Sequence, residues 1–442
     1  MNVVLDAARY IHHLKQIDPI RHNGKVTQVI GLTIESEGPN ISIGDVCLIR
    51  PAKGGKPIMA EAVGFRDNRV VLMPLGDLTS ISPGSEVVAT GEPLTVRVGH
   101  ELLGKVLDGL GKPLDGSVLP LRMTTYSTHN IPANPLFRPR VREPLSVGVK
   151  AIDGLMTIGK GQRMGIFAGS GVGKSTLLGM IARNTSADVN VIGLIGERGR
   201  EVLDFIERDL GPEGLARSVV VVATSDQPAL IRIKGALIAT TIAEYFRDRG
   251  MNVMLMMDSV TRYAMAMREV GLAIGEPPAT RGYPPSVFAN LPKLLERAGT
   301  SRKGSITAFY TVLVDGDDMN EPIADTVRGI LDGHIVLDRQ LASRGHYPAI
   351  DVLSSISRLM NEIVPERQIA AAARLKRLLS VYRNSEDLIN IGAYQPGSNA
   401  EIDEAIRAYR TIQSFLQQGT HEKVSFEEAS ELLIRQFGDG DA

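Results

Sequence analysis

Short runs that alternate apolar and polar residues fill the stretch from about Gly24 to Thr90. Turn-forming residues separate these runs, and no segment with helical periodicity lies between them. Each run has the length and alternation of one half-buried β-strand. Closely spaced strands of this kind are typical of a small antiparallel barrel, in which closure leaves no edge free to pair with another chain. The predicted strands cover residues 25–30, 45–49, 69–73 and 86–89.

From about Gly91 onward, an extended lead-in that contains several prolines gives way to alternating strand-like and helix-like segments. The strand candidates are continuous apolar runs, such as the four valines at 219–222, which suit strands buried on both faces of a parallel sheet. This alternation predicts a doubly wound α/β core. The predicted strands cover residues 163–167, 189–195, 218–223, 252–257, 305–314 and 334–337. The predicted helices cover residues 174–184, 201–210, 228–249, 259–272 and 286–298.

After about Pro365 the strand pattern ends, and helical spacing is found at residues 370–379, 401–417 and 426–437. A chain of 442 residues is also long for a single hydrophobic core. We therefore expect three domains: an N-terminal segment with a β-barrel at 1–93, an α/β domain at 94–364 and a helical domain at 365–442.

A glycine-rich turn at residues 168–176 lies between a predicted strand and the helix that follows it. Its glycines allow backbone N–H groups to face inward, and the helix N-terminus adds unsatisfied donors and a positive dipole. Lys174 would supply charge for the β- and γ-phosphates, and the Ser175 hydroxyl would ligate Mg²⁺. The usual motif begins with glycine, where this chain has Ala168. The sequence thus predicts a nucleoside triphosphate site at Gly169, Ser170, Gly171, Val172, Gly173, Lys174, Ser175 and Thr176.

Two acidic residues follow buried strands of the predicted sheet. Asp258 ends an apolar strand, where such an acid holds the Mg²⁺ shell of P-loop proteins. The alternative is a helix N-cap, although Ser259 could cap that helix equally well. Glu197 follows another buried strand and could orient or deprotonate an attacking water. Glu201 lies in a first helical turn, where the helix dipole alone favours an acid.

Composition and charge disfavour several classes of protein. The chain has 49 Lys and Arg against 50 Asp and Glu, 5% aromatic residues and no Trp, so it lacks the basic stripe and stacking aromatics of a nucleic-acid binder. Cys47 is the single cysteine, which excludes an intrachain disulfide and suits a reducing compartment. No run of 18 apolar residues exists, and Asp6 and Arg9 interrupt the apolar N-terminus. We expect a cytoplasmic protein with no transmembrane segment.

Four motifs resemble those of the catalytic subunits of rotary ATP synthases, at residues 196–201 (GERGRE), 258–262 (DSVTR), 283–286 (YPPS) and 317–322 (DDMNEP). The similarity is closer still to the type III protein-export ATPases. Residues 167–178, 221–230, 307–329 and 384–394 resemble the flagellar export ATPases in particular. The resemblance covers about residues 24–410, and Ala168 is common in the export family. It implies a RecA-like P-loop core that hydrolyses ATP with Mg²⁺.

The resemblance also implies a role for each matching residue in the part of the site that would bind the phosphates of ATP. Lys174 and Ser175 match the phosphate and Mg²⁺ contacts, Glu197 the water-activating glutamate and Asp258 the acid that holds Mg²⁺. Arg198 and Arg262 match arginines that line the pocket, although an internal ion pair is the alternative for both.

Three further positions match parts of the site that lie away from the P-loop. Tyr347 matches an aromatic residue that stacks on adenine, with a core tyrosine as the alternative. Tyr394 matches the C-terminal side of the adenine pocket. Arg358, in the segment 354–358 (SSISR), matches an arginine finger that reaches into a neighbouring subunit, although a surface ion pair is the usual fate of arginine.

Taken together, the resemblance implies a homohexameric, Mg²⁺-dependent ATPase that energises export of flagellar proteins and associates peripherally with the inner face of the membrane. It further implies a stator-like regulator, a central-stalk-like export protein, the export gate and chaperone–substrate complexes as partners. A virulence-type injection ATPase shares every catalytic residue and remains an alternative, and a rotary catalytic subunit is a more distant one. The lack of a basic stripe disfavours a nucleic-acid motor, and Glu197 disfavours a subunit that binds but does not hydrolyse nucleotide.

The N-terminal segment generates a prediction about the regulator, because five apolar residues share one face of a helix there: Val4, Ala7, Ala8, Ile11 and Leu14. The resemblance favours docking of the dimeric stator-like regulator on this face, with packing against the barrel as the alternative. Deleting residues 1–14 should leave the ATPase core folded, since the barrel begins near Gly24. The deletion should weaken capture of the purified regulator in a pull-down. Unchanged capture by the truncated chain would favour the packing alternative.

Overall fold

The computed structural model describes residues 23–314, 316 and 318–438 of the 442-residue chain. The amphipathic segment at residues 3–14 and Asp317 of the acidic motif therefore lie outside the described residues. The chain divides into two compact units after Leu94. No helix of the described part is long and apolar enough to cross a membrane.

Six antiparallel strands close into a barrel in the first unit, which confirms the predicted barrel. Apolar side chains fill the barrel, among them Ile34, Leu72 and Cys47. Burial is the main cause that raises the pKa of the Cys47 thiol to about 12, so this cysteine is inert at neutral pH. The strands are β1 (Gly24–Ile30), β2 (Thr33–Glu37), β3 (Asp45–Arg50), β4 (Ile58–Arg66), β5 (Arg69–Pro74) and β6 (Glu86–Pro93), in the order β1-β2-β5-β4-β3-β6.

A mainly parallel sheet of nine strands forms the centre of the second unit. The strands of this unit are β7 (Thr95–Val98), β8 (Val106–Asp108), β9 (Thr124–Ser127), β10 (Pro144–Leu145), β11 (Ile158–Gly159), β12 (Arg163–Ala168), β13 (Val189–Ile195), β14 (Ser218–Ala223), β15 (Asn252–Asp258), β16 (Gly299–Thr300), β17 (Ser305–Leu313), β18 (Gly333–Leu337) and β19 (Ile356–Ser357). The members of the sheet are β8 and β12 to β19, and two short antiparallel pairs, β7 with β9 and β10 with β11, lie outside it.

The sheet runs in the order β19-β18-β12-β17-β15-β13-β14-β8, with β16 paired to β17. All neighbours are parallel except β19, which is antiparallel to β18, and β16, which is antiparallel to β17. Every residue of β13 and β14 is buried, as expected for strands covered on both faces. The predicted doubly wound core is confirmed, with β12 inside the sheet between β18 and β17.

Helices cover this sheet and continue beyond it to the C-terminal end of the described residues. They are α1 (Lys150–Leu155), α2 (Lys174–Asn184), α3 (Gly199–Asp204), α4 (Gly211–Ala216), α5 (Ala229–Asp248), α6 (Val260–Ile274), α7 (Pro285–Leu295), α8 (Pro322–Ile330), α9 (Arg339–Ser343), α10 (Met360–Ile363), α11 (Glu366–Asn390), α12 (Ala400–Leu416) and α13 (Phe426–Phe437). A π-helical segment, Phe205–Leu210, joins α3 to α4.

The three C-terminal helices, α11 to α13, confirm the predicted helical region and pack onto the α/β part through α1. Leu375, Phe415 and Leu433 belong to the same buried apolar cluster as Ile152 and Leu155 of α1. The approach is close, since a Cβ on Gly154 would lie 2.8 Å from the Phe415 ring. The predicted domain boundary at 364/365 stays a prediction, because one apolar core runs across it.

Candidate active site

The P-loop lies between the end of β12 and the start of α2. Gly171 (φ 77°) and Gly173 (φ 88°) both adopt left-handed conformations that only glycine adopts at low cost. The loop and the first turn of α2 line a cavity of about 710 Å³. Seven of the eight predicted nucleotide-binding residues at 169–176 line this cavity, and Val172 is buried beneath it.

Lys174 lies between two carboxylates at the base of this cavity. Its Nζ is 2.5 Å from Asp258 Oδ1 and 3.3 Å from Glu197 Oε1. Burial works to lower the pKa of Lys174, but the charges of Asp258 and Glu197 outweigh it, and the pKa is raised. The lysine is therefore fully charged at neutral pH.

Asp258 ends β15, and its carboxylate is almost completely buried. Its Oδ1 also accepts a hydrogen bond of 2.7 Å from the Thr311 hydroxyl on β17. The cap of α6 is supplied by Ser259, whose Oγ accepts from the Arg262 backbone N–H. The N-cap alternative for Asp258 is thus removed, because the carboxylate faces Lys174 and Thr311 instead.

Glu197 follows β13, after a glycine that the local geometry requires. Gly196 has a positive φ of 74°, and a Cβ there would lie 2.6 Å from the Arg262 Cβ. Glu197 is about as enclosed as Lys174. Burial, and secondly the negative charge of Asp258, raise the pKa of Glu197 to about 7, against the opposing effect of Lys174. A carboxylate with this pKa can exchange a proton near neutral pH.

The two arginines of the pocket differ in their partners. Arg198 is highly exposed and pairs with Glu201 at 3.3 Å, one turn along α3, which matches its ion-pair alternative. Arg262 also lines the cavity, but its Nε is buried without a hydrogen-bond partner. A buried guanidinium N–H with no partner costs free energy. The predicted role of Arg262 toward the phosphates stays a prediction.

Tyr347 lies beside the P-loop, in the segment after α9. A Cβ built on Gly173 would lie 3.5 Å from the Tyr347 ring, which is about half exposed. Tyr394 lies in the link between α11 and α12, where its hydroxyl bonds to Asn399 O and Asp403 Oδ1. Its predicted place in an adenine pocket stays a prediction.

Arg358 does not join this cavity. It follows β19 and lies at the amino edge of the sheet, which is the edge at which the parallel strands begin. There its backbone N–H donates to Asp332 O and its Nη2 donates to Arg328 O. Asp332 is beside Arg163, the first residue of β12, and the P-loop follows the last residue of that strand. Five residue steps along β12 amount to about 17 Å. Arg358 and the P-loop therefore lie at opposite edges of the same sheet.

Two threonines of the site were not predicted from the sequence. Thr311 bonds to Asp258, and Thr261 Oγ1 accepts from the Leu313 backbone N–H, which ties α6 to the end of β17. The available signal for Thr311 was its polar side chain near the end of an almost fully buried strand, although Ser305 and Thr307 of the same strand are polar as well. Thr261 had no comparable signal, since threonine is ordinary in a first helical turn.

Comparison with known proteins covers nearly the whole chain. The beta-barrel domain of the ATP synthase alpha/beta family matches residues 26–91, and the nucleotide-binding domain of that family matches residues 148–357. The T3SS EscN ATPase C-terminal domain matches residues 364–435.

Individual proteins give the same result. The chain is 62% identical to a flagellum-specific ATP synthase of Bacillus subtilis, over 96% of this chain and 97% of that protein. It is 53% identical to a type 3 secretion system ATPase of Xanthomonas euvesicatoria, over 93% of each. Among solved structures, the assembled ATPase EscN in complex with its central stalk EscO, from enteropathogenic E. coli, matches with a TM-score of 0.87 at 48% identity, over 94% of this chain and 100% of that one. This chain is therefore an ATP hydrolase and belongs to the flagellum-specific ATP synthases, the flagellar type III protein-export ATPases of the ATP synthase alpha/beta family.

Proposed function

We propose that this chain is the Mg²⁺-dependent ATPase of a flagellar type III export apparatus, peripheral to the cytoplasmic membrane. In this role, ATP hydrolysis releases and unfolds chaperone-bound proteins for export. The observation that carries the enzymatic part is Lys174, held between Asp258 and Glu197 at a P-loop cavity. The flagellar part is supported by the 62% identity to a flagellum-specific ATP synthase.

A virulence-type injection ATPase is the second candidate, supported by the 53% identity to a type 3 secretion system ATPase. The two candidates would use the same catalytic residues, so only their biological context separates them. Loss of motility in a deletion strain would support the flagellar assignment, whereas intact motility with lost protein injection would support the alternative.

The P-loop N–H groups and Lys174 would bind the β- and γ-phosphates of ATP. The Ser175 hydroxyl and the Asp258 carboxylate offer the oxygen donors that Mg²⁺ prefers, and this ion usually takes one or two carboxylates plus substrate phosphates. Within the described residues, no group of three His, Cys, Asp or Glu side chains could hold a metal alone. Mg²⁺ bound with the nucleotide would neutralise charge that develops on the phosphates.

Glu197 is suited to act as the general base. A pKa of about 7 lies near the operating pH, where such a group is most effective. Its carboxylate would take a proton from water while the water oxygen attacks the γ-phosphorus. The bond from that phosphorus to the β,γ-bridging oxygen breaks, which gives ADP and phosphate. Arg262, with its buried unpaired Nε, would contact the γ-phosphate side.

The roles of Lys174 and Glu197 predict different losses. Lys174→Ala should remove both ATP binding and turnover, because the phosphates lose their buried counter-charge. Glu197→Gln should bind ATP close to normally and lose hydrolysis by about 10²–10⁴-fold, because only proton transfer is lost. A nucleotide-binding assay beside a phosphate-release assay separates the two.

The matched control is Glu213→Gln, at an exposed glutamate of α4 outside the cavity. This variant should hydrolyse ATP like the wild type. A Glu197→Gln variant that keeps more than about a tenth of the wild-type rate would end the assignment of Glu197 as the base. Loss of a principal base lowers the rate by at least about 100-fold.

The position of Arg358 supports a ring in which each site is completed by the next subunit. A head-to-tail arrangement would bring the amino edge of one copy, with its Arg358, against the P-loop edge of the next. The related EscN is an assembled ATPase with a central stalk, EscO. We therefore infer a homohexamer that binds a central-stalk-like export protein. The stator-like regulator, the export gate and chaperone–substrate complexes complete the proposed set of partners.

A trans-acting Arg358 predicts complementation between two inactive proteins. Arg358→Ala and Glu197→Gln should each fail to hydrolyse ATP alone, since an arginine finger typically contributes 10³–10⁵-fold. In a mixed ring, an Arg358→Ala subunit with intact Glu197 lies beside a Glu197→Gln subunit that still carries its arginine. Mixing the two proteins should therefore restore turnover.

Two measurements make this test decisive. Crosslinking must show that mixed rings form, and single-turnover hydrolysis must be measured along with the steady state, because strict coupling around the ring suppresses only the latter. Mixed rings without recovery in either measurement would show that Arg358 does not act in trans.

A further inference from the structure

The link between α12 and α13, residues 417–425, returns from the C-terminal helices to the nucleotide cavity. The backbone N–H of Gln418 donates to the carbonyl oxygen of Tyr347 at 3.0 Å. Tyr347 is the residue whose ring lies against Gly173 of the P-loop. A backbone hydrogen bond therefore joins the C-terminal link directly to the aromatic residue beside the phosphate site.

The side chain of Gln418 fixes the position of this hydrogen bond. It is 6% exposed, and its Oε1 accepts from the Lys150 backbone N–H at 2.8 Å. Its Nε2 donates to Gly148 O at 2.8 Å and to Glu422 O at 3.0 Å. Both amide protons of Gln418 thus have acceptors, and its side chain anchors this residue at the start of α1.

The residue before Tyr347 is held by α12 itself. His346 is buried, and its Nδ1 lies 2.8 Å from Gln413 Oε1. The same link also contacts the helix that begins with the P-loop, since Arg183, near the end of α2, donates to Thr420 O. Adjacent residues 346 and 347 are therefore held from the C-terminal side, by α12 and by the link.

Tyr347 is 46% exposed, so packing restrains its ring little and its backbone decides where the ring lies. Stacking on a flat base requires the ring at a defined distance and angle. We propose that Gln418 is a positioning residue for Tyr347, and that through it the C-terminal helices set the affinity of the site for the nucleotide base. This inference rests on the proposed ATPase function and on the base-stacking role of Tyr347 that the family resemblance implies.

The proposal separates the base from the phosphates of the ligand. The P-loop and Lys174 would bind the phosphates, and they do not depend on the Gln418 side chain. Removing that side chain should therefore weaken ATP binding without weakening a ligand that has phosphates and no base. A merely structural role for Gln418 would weaken both ligands together.

The test compares KM for Mg-ATP with the inhibition constant of inorganic tripolyphosphate, measured on the full chain. Gln418→Ala should raise KM about tenfold, the equivalent of about one net hydrogen bond, while the tripolyphosphate constant changes less than about twofold. Gln395→Ala, at an exposed glutamine of the same helical region, is the matched control and should change neither constant. A parallel rise of both constants, or no change in either, would overturn the proposal.

Two further variants keep the result interpretable. Gln413→Leu, at a half-buried position, removes the shorter of the two side-chain contacts of His346 Nδ1, the other being Gln417 Nε2 at 3.5 Å. It should show the same selective rise in KM if Gln418→Ala does not fold. Tyr347→Ala should raise KM for ATP and not the tripolyphosphate constant. If Tyr347→Ala changes nothing, the base-stacking role fails and the inference with it. If Tyr347→Ala raises KM and the Gln418 and Gln413 variants do not, the positioning role alone is wrong.

Discussion

One buried ammonium group between two carboxylates organises this protein. Lys174 Nζ lies 2.5 Å from Asp258 and 3.3 Å from Glu197, and all three groups are largely removed from water. Each charge would be costly to bury alone, so the lysine is stable there because of its partners. Burial and the nearby charge of Asp258 raise the pKa of Glu197 against the opposing effect of Lys174, and the lysine keeps its positive charge where phosphates would bind. Stability and chemistry therefore depend on the same contact.

The contact exists because parallel strands end at one edge of the sheet. Lys174 follows β12, Glu197 follows β13, and Asp258 ends β15 beside Leu194 of β13. The opposite edge carries Arg358, about 17 Å away along β12. A parallel sheet cannot bring its two edges together within one chain. The proposed ring follows from this constraint, because a second copy supplies the missing edge.

The sequence predicted the parts of this structure that local patterns encode. Six strands of the central sheet (β12 to β15, β17 and β18), the P-loop and the acids at the ends of β13 and β15 were predictable, because each is marked by a pattern that spans only a few residues. Strands β2 and β4 were missed, because a buried glutamate interrupts the apolar pattern of each. In β2 this residue is Glu35, which lies on the face opposite the core residue Ile34 and pairs with Arg66 and Arg69, more than 30 residues away. The sequence could not show whether Asp258 or Ser259 caps α6, because both residue types suit an N-cap position. The fold assigns the cap to Ser259.

Long-range contacts decided the rest. The bond from Gln418 to Tyr347 and the anchoring of Gln418 at Lys150 join parts of the chain about 70 and 270 residues apart, and no sequence pattern marks them. The same holds for the shared core of α1 and the C-terminal helices, which leaves the boundary near residue 364 without a structural break. Local motifs thus predicted the P-loop and its acids, whereas the connection between Tyr347 and the C-terminal helices depended on tertiary packing.

If Arg358 of a second copy completes each site, one chain alone holds an incomplete catalytic site. The most direct measurement is ATPase activity per chain as protein concentration rises, alongside sedimentation of the same samples. Sites shared between neighbouring copies predict that wild-type activity per chain climbs in step with assembly and levels off when assembly is complete. Activity per chain that is already maximal in samples that sediment as monomers would contradict it.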